Sequence, residues 1–418
     1  MNIFVATIAL LVFIPAVRAD NWATFRGPTG MGQSAEKDLP TNWGGKGNDN
    51  ILWKTPLPHV DAKAKPDHNQ SSPIVWKDKI VVTTSFWPVS KTQKDMPEHH
   101  VTCFSAAGKI LWDAMVEAGP WLLTDLRGGY TAPTPVTDGE RIYVMFGSGV
   151  AVALDMDGKP VWWEKIPEAK KFDVAIGVSP ILYGDNLLIL CEKVGKASHL
   201  LALDKKTGKE KWDEKRPKMN FSHTTPVVAK IGGKDILLIG ANNQLQGVDP
   251  ANGKLLWWAI NEGDVPCPVV AAGLVYCDNG RGGVGIAVDP SGSGDVTKTH
   301  IKWKTDRKID GLGSPIVSGD YLFRLRSPGF LSYWKMSTGE FVAEERVQGV
   351  STTASPFATA DGRVYYAAAG KSIVVKVGEK SEIIATNDLG EDNGSSAAVS
   401  GGRIYLKGRN HLFAVGNK

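Results

Sequence analysis

The sequence predicts an all-β fold, an eight-bladed β-propeller built from four-stranded antiparallel blades. Three observations predict it: a recurring hairpin turn, a recurring strand start, and a nearly constant spacing between the strand starts. Four short strands with their turns occupy about 40–45 residues, and that is the spacing that recurs here. We therefore expect one repeating structure rather than two or three unrelated domains in the 418 residues.

The recurring turn contains Gly-Lys followed by tryptophan four residues after the glycine. It begins at Gly108, Gly158, Gly208 and Gly253 and ends at Trp112, Trp162, Trp212 and Trp257. Each turn joins an apolar run to a tryptophan-bearing run, as in VAVALDMDGKPVWWEK, which is typical of strand, turn and strand. Because the motif recurs, we interpret these four tryptophans as structural. Each is expected to pack between adjacent blades while its indole N–H donates to one carbonyl.

The recurring strand start is a small or polar residue, then proline, then an apolar run. It occurs at Ser72, Thr134, Ser179, Thr225, Cys267, Ser314, Ser355 and, without the proline, Ser396. Proline suits the first residue of a strand, where no ladder donor is needed. From Pro135 to Pro356 successive prolines are 41 to 47 residues apart. The eight starts predict eight blades.

The ends of the chain predict how the ring closes. The last repeat supplies about three strands, whereas NILWKTPL near the N-terminus resembles a fourth strand without a blade. We predict that Trp53 belongs to the same blade as Tyr405 and Phe413. Such closure removes two strand edges that would otherwise invite association. The predicted organisation is a propeller domain over 51–418, preceded by an extended segment over 20–50.

Residues 1–19 have the features of a signal peptide. An apolar stretch from Ile3 to Val17 is followed by Ala19 at the position that a signal peptidase reads. The alternative is a buried N-terminal helix. We expect an exported protein, periplasmic or secreted, and a monomer. No later segment is apolar for long enough to span a bilayer, and a formal charge of +4 without a basic run does not indicate nucleic-acid binding.

The four cysteines, Cys103, Cys191, Cys267 and Cys277, fit no zinc or haem-attachment spacing. Cys267 and Cys277 flank a predicted hairpin, CPVVAAGLVYC, and export permits a disulfide between them. The sequence leaves open whether they are bonded.

The tryptophan turns, together with the opening NWATFRGPTGMGQS, resemble the repeat superfamily of pyrroloquinoline quinone (PQQ) proteins. This superfamily contains quinoprotein alcohol dehydrogenases and non-enzymatic relatives such as the outer-membrane assembly factor BamB. The resemblance implies that a dehydrogenase would carry adjacent cysteines, or another stacking partner, against the quinone, together with acidic Ca²⁺ ligands and an aspartate base. The sequence has no Cys-Cys pair, and its acidic candidates are isolated: Asp125, Asp173, Asp264 and Asp310.

We therefore expect an exported binding or interaction scaffold with no cofactor, no metal and no catalytic residue that can be assigned. Its partner is an unknown protein, peptide or small molecule. The alternative is a PQQ- and Ca²⁺-dependent dehydrogenase that oxidises alcohols or sugars.

The expected binding site is the mouth of the ring, where the segments leading into the innermost strands meet. The ligand-binding candidates are Gln70, Arg127, Tyr130, Asp173, His223, Asp264 and Asp310, with His68 and Asn69 beside them. We expect Arg127, Tyr130, His223 and Asp310 to share one pocket, because the long insertion EAGPWLLTDLRGGYTAP could fold over the opening. The alternatives are ordinary solvated loops, and packing of Trp121 and Leu122 on the blade beneath.

Overall fold

Eight four-stranded blades form a ring in the computed structural model, which describes residues 21–166, 177–191, 198–216 and 222–418. The prediction of an all-β eight-bladed propeller is confirmed. The predicted signal peptide lies outside the described residues. One helical turn, Pro58–Asp61, precedes the first blade. Blades are numbered along the chain, and their strands are given from the axis outward.

Blades 1 to 3 follow the repeat closely. Their strands are Ile74–Trp76, Lys79–Trp87, Glu98–Ser105 and Ile110–Val116; Val136–Thr137, Arg141–Phe146, Val150–Asp155 and Pro160–Lys165; and Ile181–Tyr183, Asn186–Cys191, His199–Asp204 and Glu210–Lys215. A short strand, Lys65–Pro66, adds to the second strand of blade 1.

Blade 4 is irregular. Its continuous strand Lys234–Val248 pairs with Val227–Ile231 through its first part and with Leu255–Glu262 through its second. Its fourth strand, Gly294–Asp295, comes from the stretched turn of blade 5 and pairs in parallel with Leu255–Glu262.

Blades 5 to 8 complete the ring. Their strands are Val269–Ala271, Leu274–Cys277, Ile286–Val288 and Ile301–Lys304; Ile316–Ser318, Tyr321–Arg326, Phe330–Lys335 and Phe341–Arg346; Phe357–Ala358, Arg363–Tyr366, Lys371–Lys376 and Glu382–Asp388; and Ala398–Ser400, Arg403–Lys407, His411–Gly416 and Ile51–Pro56. A two-stranded pair, Arg281–Gly283 with Ile309–Asp310, lies outside the blades.

The two ends of the chain meet in blade 8, as the sequence predicts. Trp53 pairs with Ala414 in the antiparallel ladder, and Lys54 pairs with Phe413. The Trp53 ring lies 6.1 Å from the ring of Tyr405. The outermost strand of the last blade is therefore supplied from the N-terminal side of the chain.

The tryptophans pack on the turn glycines of the following blade. A Cβ atom added to Gly208, whose φ is +76°, would lie 2.7 Å from Cδ2 of Trp162, so the ring needs a glycine there. The indole of Trp162 donates to Lys205 O at 3.0 Å, and that of Trp112 donates to Met156 O at 3.1 Å. The expected docking thus occurs in these blades.

Trp212 and Trp257 depart from this arrangement. Trp212 lies over Gly253, but its indole nitrogen has no acceptor among the residues that the structure describes. Trp257 is buried inside its own blade against Gly247, since the stretched turn of blade 5 puts no Gly-Lys hairpin beside it. Its indole nitrogen likewise has no acceptor in the described chain. Neither indole therefore makes the expected hydrogen bond to a carbonyl of the described residues.

Residues 21–36, which we call the N-terminal plug, fill the lower end of the ring. Trp22 exchanges backbone hydrogen bonds with Val75 of blade 1. Gln33 donates to Val317 O of blade 6 at 2.8 Å, and Gly32 accepts from the amide of Ala358 in blade 7. These partners are the later residues of innermost strands, which run away from the mouth. The plug therefore closes the end of the axis opposite the predicted mouth.

Candidate functional site

The upper face of the ring carries the segments leading into the innermost strands and the turns between second and third strands. Both lie on one side because adjacent strands are antiparallel. The Gly-Lys turns and the N-terminal plug lie on the other side. The candidate site is therefore the mouth on the upper face.

The insertion before blade 2 builds a small core of its own. Leu123 and Tyr130 pack with Trp87, and Met96 and Leu126 lie against them. The Tyr130 hydroxyl accepts from the amide of Leu123 at 2.8 Å. Tyr130 is fully buried, so it does not belong to an open pocket. The expected pocket of four residues is incorrect for Tyr130, because this apolar ring anchors the insertion instead.

The rest of the insertion divides between packing and exposure. Trp121 packs on Gly149, where an added Cβ would lie 2.5 Å from Cδ2 of the indole, and its amide donates to Ser148 O. Leu122 is exposed on the upper face. The alternative in which the insertion packs on the blade beneath thus holds for Trp121.

Arg127 stands at the solvent-exposed tip of the insertion. Its guanidinium pairs with the Asp125 carboxylate at 2.5 Å, and these hydrogen bonds lower the pKa of Asp125. Burial is the largest cause that lowers the pKa of His223, and the charge of Arg127 adds a smaller contribution in the same direction. His223 leads into blade 4, so the insertion brings Arg127 within electrostatic reach of another sector of the mouth.

His223, Asp264 and Asp310 lie in that same sector, joined by Arg281. The His223 amide donates to Asp264 O at 2.8 Å, and Nε of Arg281 lies 2.5 Å from Oδ2 of Asp264. Arg281 pairs through its backbone with Asp310. Burial is the main cause that lowers the pKa of His223, with Arg281 adding to it and Asp264 opposing it.

The remaining candidates lie elsewhere or are structural. Gln70 is half-buried near Gly394, on the side of blades 8 and 1. Asn69 is buried, and its Oδ1 accepts from Thr131 Oγ1 at 2.8 Å and from the amide of Ser85 at 2.7 Å. Asp173 lies outside the described residues.

Comparison with known proteins agrees with the repeat pattern. The profile of a family described as outer membrane protein assembly factor BamB matches residues 97–345. The chain belongs to this family of PQQ-like repeat proteins. No curated protein matches the sequence.

Solved structures of the PQQ-like repeat type share the fold at low identity. BamB from Moraxella catarrhalis is 13% identical, with 88% of this chain and 98% of that chain covered and a TM-score of 0.59. A europium-containing methanol dehydrogenase is 12% identical, with 95% and 89% covered and a TM-score of 0.67. Likeness at this identity establishes the propeller fold.

The carboxylates of the mouth within the described residues are not grouped as a metal site. Ca²⁺ takes six to eight oxygen ligands, several of them carboxylates. In the part of the chain that the structure describes, no three His, Cys, Asp or Glu side chains are grouped as a metal site. Asp125 and Asp264 are each paired with an arginine. Cys267 and Cys277 are buried free thiols, so the disulfide that the sequence left open between them is not formed.

Two arginines of this PQQ-like propeller were missed by sequence reasoning. Arg281 lies in DNGRGGVGIAVD, which is typical of a loose turn, and only its pairing with Ile309–Asp310 brings it to the mouth. Arg26 lies in the opening NWATFRGPTGMGQS, where the motif predicts family membership but not that the segment fills the axis. In both segments the sequence feature that could have indicated these arginines was a charged residue close to glycines.

Proposed function

We propose that this protein is an exported scaffold that binds a partner protein through the upper face of its propeller. The observation that carries the proposal is the asymmetry of the ring: the plug fills the lower end, while the upper face exposes apolar and cationic side chains. Val89 is 81% exposed, Leu122 40% and Val284 36%. Arg127 and Arg281 lie in loops of the same face.

Arginine is enriched at protein-binding surfaces, and the apolar side chains beside it supply area that a partner can bury. The matched family is named for an assembly factor, a role that is performed by contacts with other proteins. In the described chain no helix is long and apolar enough to cross a membrane. We propose that residues 1–19 direct export. Determination of the N-terminal sequence of the mature protein tests this, because the mature chain should begin at Asp20.

The scaffold proposal is tested with two variants of matched chemistry. Val89→Asp with Leu122→Asp changes the upper face, and Met115→Asp with Val161→Asp changes exposed positions on outermost strands of the rim. Partners are captured by crosslinking from the native envelope and quantified by mass spectrometry. A partner recovered by the wild type and the rim variant, but reduced at least tenfold by the upper-face variant, supports the proposal. Equal recovery by both variants would contradict it.

The alternative is a PQQ-dependent dehydrogenase, which the shared fold with a methanol dehydrogenase favours. Its test is turnover of alcohols or sugars with an artificial electron acceptor, after addition of PQQ and Ca²⁺ to the purified protein. Turnover that requires both additions would replace the scaffold proposal.

A further inference from the structure

Two segments of blade 1 form a ridge on the upper face, which we call the lysine ridge. It consists of residues 60–65, which lead into the blade, and residues 88–96, which connect its second and third strands. Lys65 joins the two segments, because its backbone pairs with Trp87 and its Nζ donates to Gln93 Oε1 at 2.8 Å. The ridge is therefore one continuous surface.

Hydrogen bonds within the second segment fix the shape of the ridge. The amide of Lys91 donates to Pro88 O at 2.8 Å. The amide and the hydroxyl of Thr92 donate to the Asp95 carboxylate at 2.8 and 2.9 Å. The indole of Trp87 donates to Asp95 O at 2.8 Å. A surface that is already formed loses little conformational entropy when a partner binds.

Positive charge predominates on the ridge. Its charged residues are four lysines and two aspartates, a net charge of +2, and all six are exposed: Lys63, Lys65, Lys91, Lys94, Asp61 and Asp95. One of the two aspartates is used within the ridge. The hydrogen bonds from Thr92 are the largest cause that lowers the pKa of Asp95, and the charge of Lys91 adds to this lowering.

The ridge lysines lack the carboxylate partners that several lysines have on the lower side of the ring. There Nζ of Lys205 lies 3.2 Å from Asp138, and Nζ of Lys335 lies 2.7 Å from Glu340. On the ridge no lysine forms an ion pair with a carboxylate of the described chain. These four ammonium groups are therefore accessible to the carboxylates of a partner.

Val89 gives the ridge an apolar tip. It lies in the turn from Pro88 to Lys91, and its side chain is 81% exposed, the most exposed of the large apolar side chains in the described chain. Peripheral membrane binding generally requires a broad apolar face or a lipid chain in addition to basic residues. A single valine among lysines fits a protein partner better than a lipid surface.

We propose that the lysine ridge binds an acidic segment of the partner protein. Carboxylates of this segment pair with the ridge lysines, and an apolar side chain of the same segment contacts Val89. The inference rests on the proposed scaffold function and specifies the chemistry of the partner. Complementary charge favours association and selects against basic partners, and added salt weakens both effects.

The first test identifies what contacts the tip. The photocrosslinking residue p-benzoylphenylalanine replaces Val89 in the full chain, and in a control it replaces Met115 on the rim. After irradiation in the native envelope, mass spectrometry determines the peptide that is crosslinked at each position. We expect a protein segment at Val89 that contains more Asp and Glu than Lys and Arg, and that is not crosslinked at Met115.

Three outcomes of this test overturn the proposal: a neutral or basic segment at Val89, crosslinks to lipid alone, and no crosslink. The scaffold function is judged separately, by capture with the upper-face and rim variants described above. A partner that is lost from the upper-face variant but crosslinks through a neutral segment keeps the scaffold function and removes the inference.

The second test measures binding of a synthetic peptide with the sequence of the crosslinked segment, by fluorescence anisotropy with the full protein. Combined replacement of Lys63, Lys91 and Lys94 by Gln should raise the Kd about tenfold at about 50 mM NaCl and remove most of its salt dependence. The matched control replaces three exposed lysines of the lower turns by Gln: Lys109, Lys159 and Lys254. Its Kd should equal that of the wild type. An equal Kd for the ridge variant and the control overturns the proposal.

Discussion

The amide of Ser396 donates a hydrogen bond to the hydroxyl of Ser72, 3.2 Å away across 324 residues of sequence. It is one link of a ring in which the strand-start amide of each blade donates to the strand-start side chain of the next. The links are Ser72 to Thr134, Thr134 to Ser179, Ser179 to Thr225, Cys267 to Ser314, Ser314 to Ser355, and Ser355 to Ser396. Thr225 donates to the Cys267 sulfur and completes it. The recurring small polar residue before proline thus joins neighbouring blades around the axis.

Deleting the last strand should open this ring. Removal of residues 411–418 takes away the buried side chains of Leu412, Phe413 and Val415 and the pairing partner of Ile51–Pro56. We expect the melting temperature in calorimetry to fall by roughly 10 °C or more, since each large buried side chain contributes about 2–5 kcal/mol. Removal of Asn417 and Lys418 alone is the control, because these residues make only exposed hydrogen bonds. Equal melting of the two truncations would contradict closure through blade 8.

Gly208→Ala should destabilise more than Gly232→Ala. Both glycines have positive φ, +76° and +56°, so alanine is strained at either position by about 1–2 kcal/mol. At Gly208 the new methyl group also meets the Trp162 ring, whereas nothing lies within 4 Å at Gly232. The difference in the free energy of unfolding, measured with urea, isolates the docking of the tryptophan. No difference would show that Trp162 adapts without cost.

Trp162→Ala should cost more than Trp212→Ala. Truncation of a buried tryptophan typically costs about 3–5 kcal/mol, and Trp162 also loses its bond to Lys205 O. Trp212 is half-buried and has no acceptor within the described residues, so less is lost. Chemical denaturation of both variants, with partner binding measured at low temperature, checks this. Normal stability with abolished binding would instead assign Trp212 to a binding site.

The sequence predicted the repeats well because the same hairpin and the same strand start recur in most blades of the propeller. Gly-Lys-x-x-Trp and the strand-start residue each recur, so their period and number could be read without knowledge of the contacts. The repeat pattern did not predict that the indoles of Trp257 and Trp212 lack a carbonyl acceptor. Their surroundings depend on the stretched turn of blade 5 and on acceptors from a neighbouring blade. Such contacts have no local signature.

The mouth was predicted less well because its residues come from unrelated loops. His223, Asp264 and Asp310 do lie in one sector, since each precedes the innermost strand of a neighbouring blade. Tyr130 does not, because an apolar insertion folds on itself when it can form a core with Trp87. Arg26 contacts Pro315, 289 residues away, which no pattern within the plug could indicate.

Lys407 is a buried cation at the junction of blades 8 and 1. Its side chain is 1% exposed, and its Nζ donates to Ser71 Oγ at 2.7 Å and to Thr83 O at 3.1 Å. No carboxylate of the described chain pairs with it. Burial lowers the pKa of Lys407 from 10.5 to about 7.

This residue should make the protein more stable as the pH rises. Between pH 7 and about 10 the unfolded chain holds a proton on Lys407 that the folded chain has released, so folding is opposed at the lower pH. The contribution of Lys407 to the free energy of unfolding then increases by up to about 1.4 kcal/mol per pH unit. At pH 6.5 the free energy of unfolding of Lys407→Met should be at least as large as that of the wild type. By pH 9 the wild type should have gained stability relative to the variant. The control is Lys376→Met, at an exposed position, whose free energy of unfolding should follow that of the wild type at every pH. If the free energy of unfolding of Lys407→Met instead changes with pH in parallel with the wild type, Lys407 keeps its charge in the folded protein.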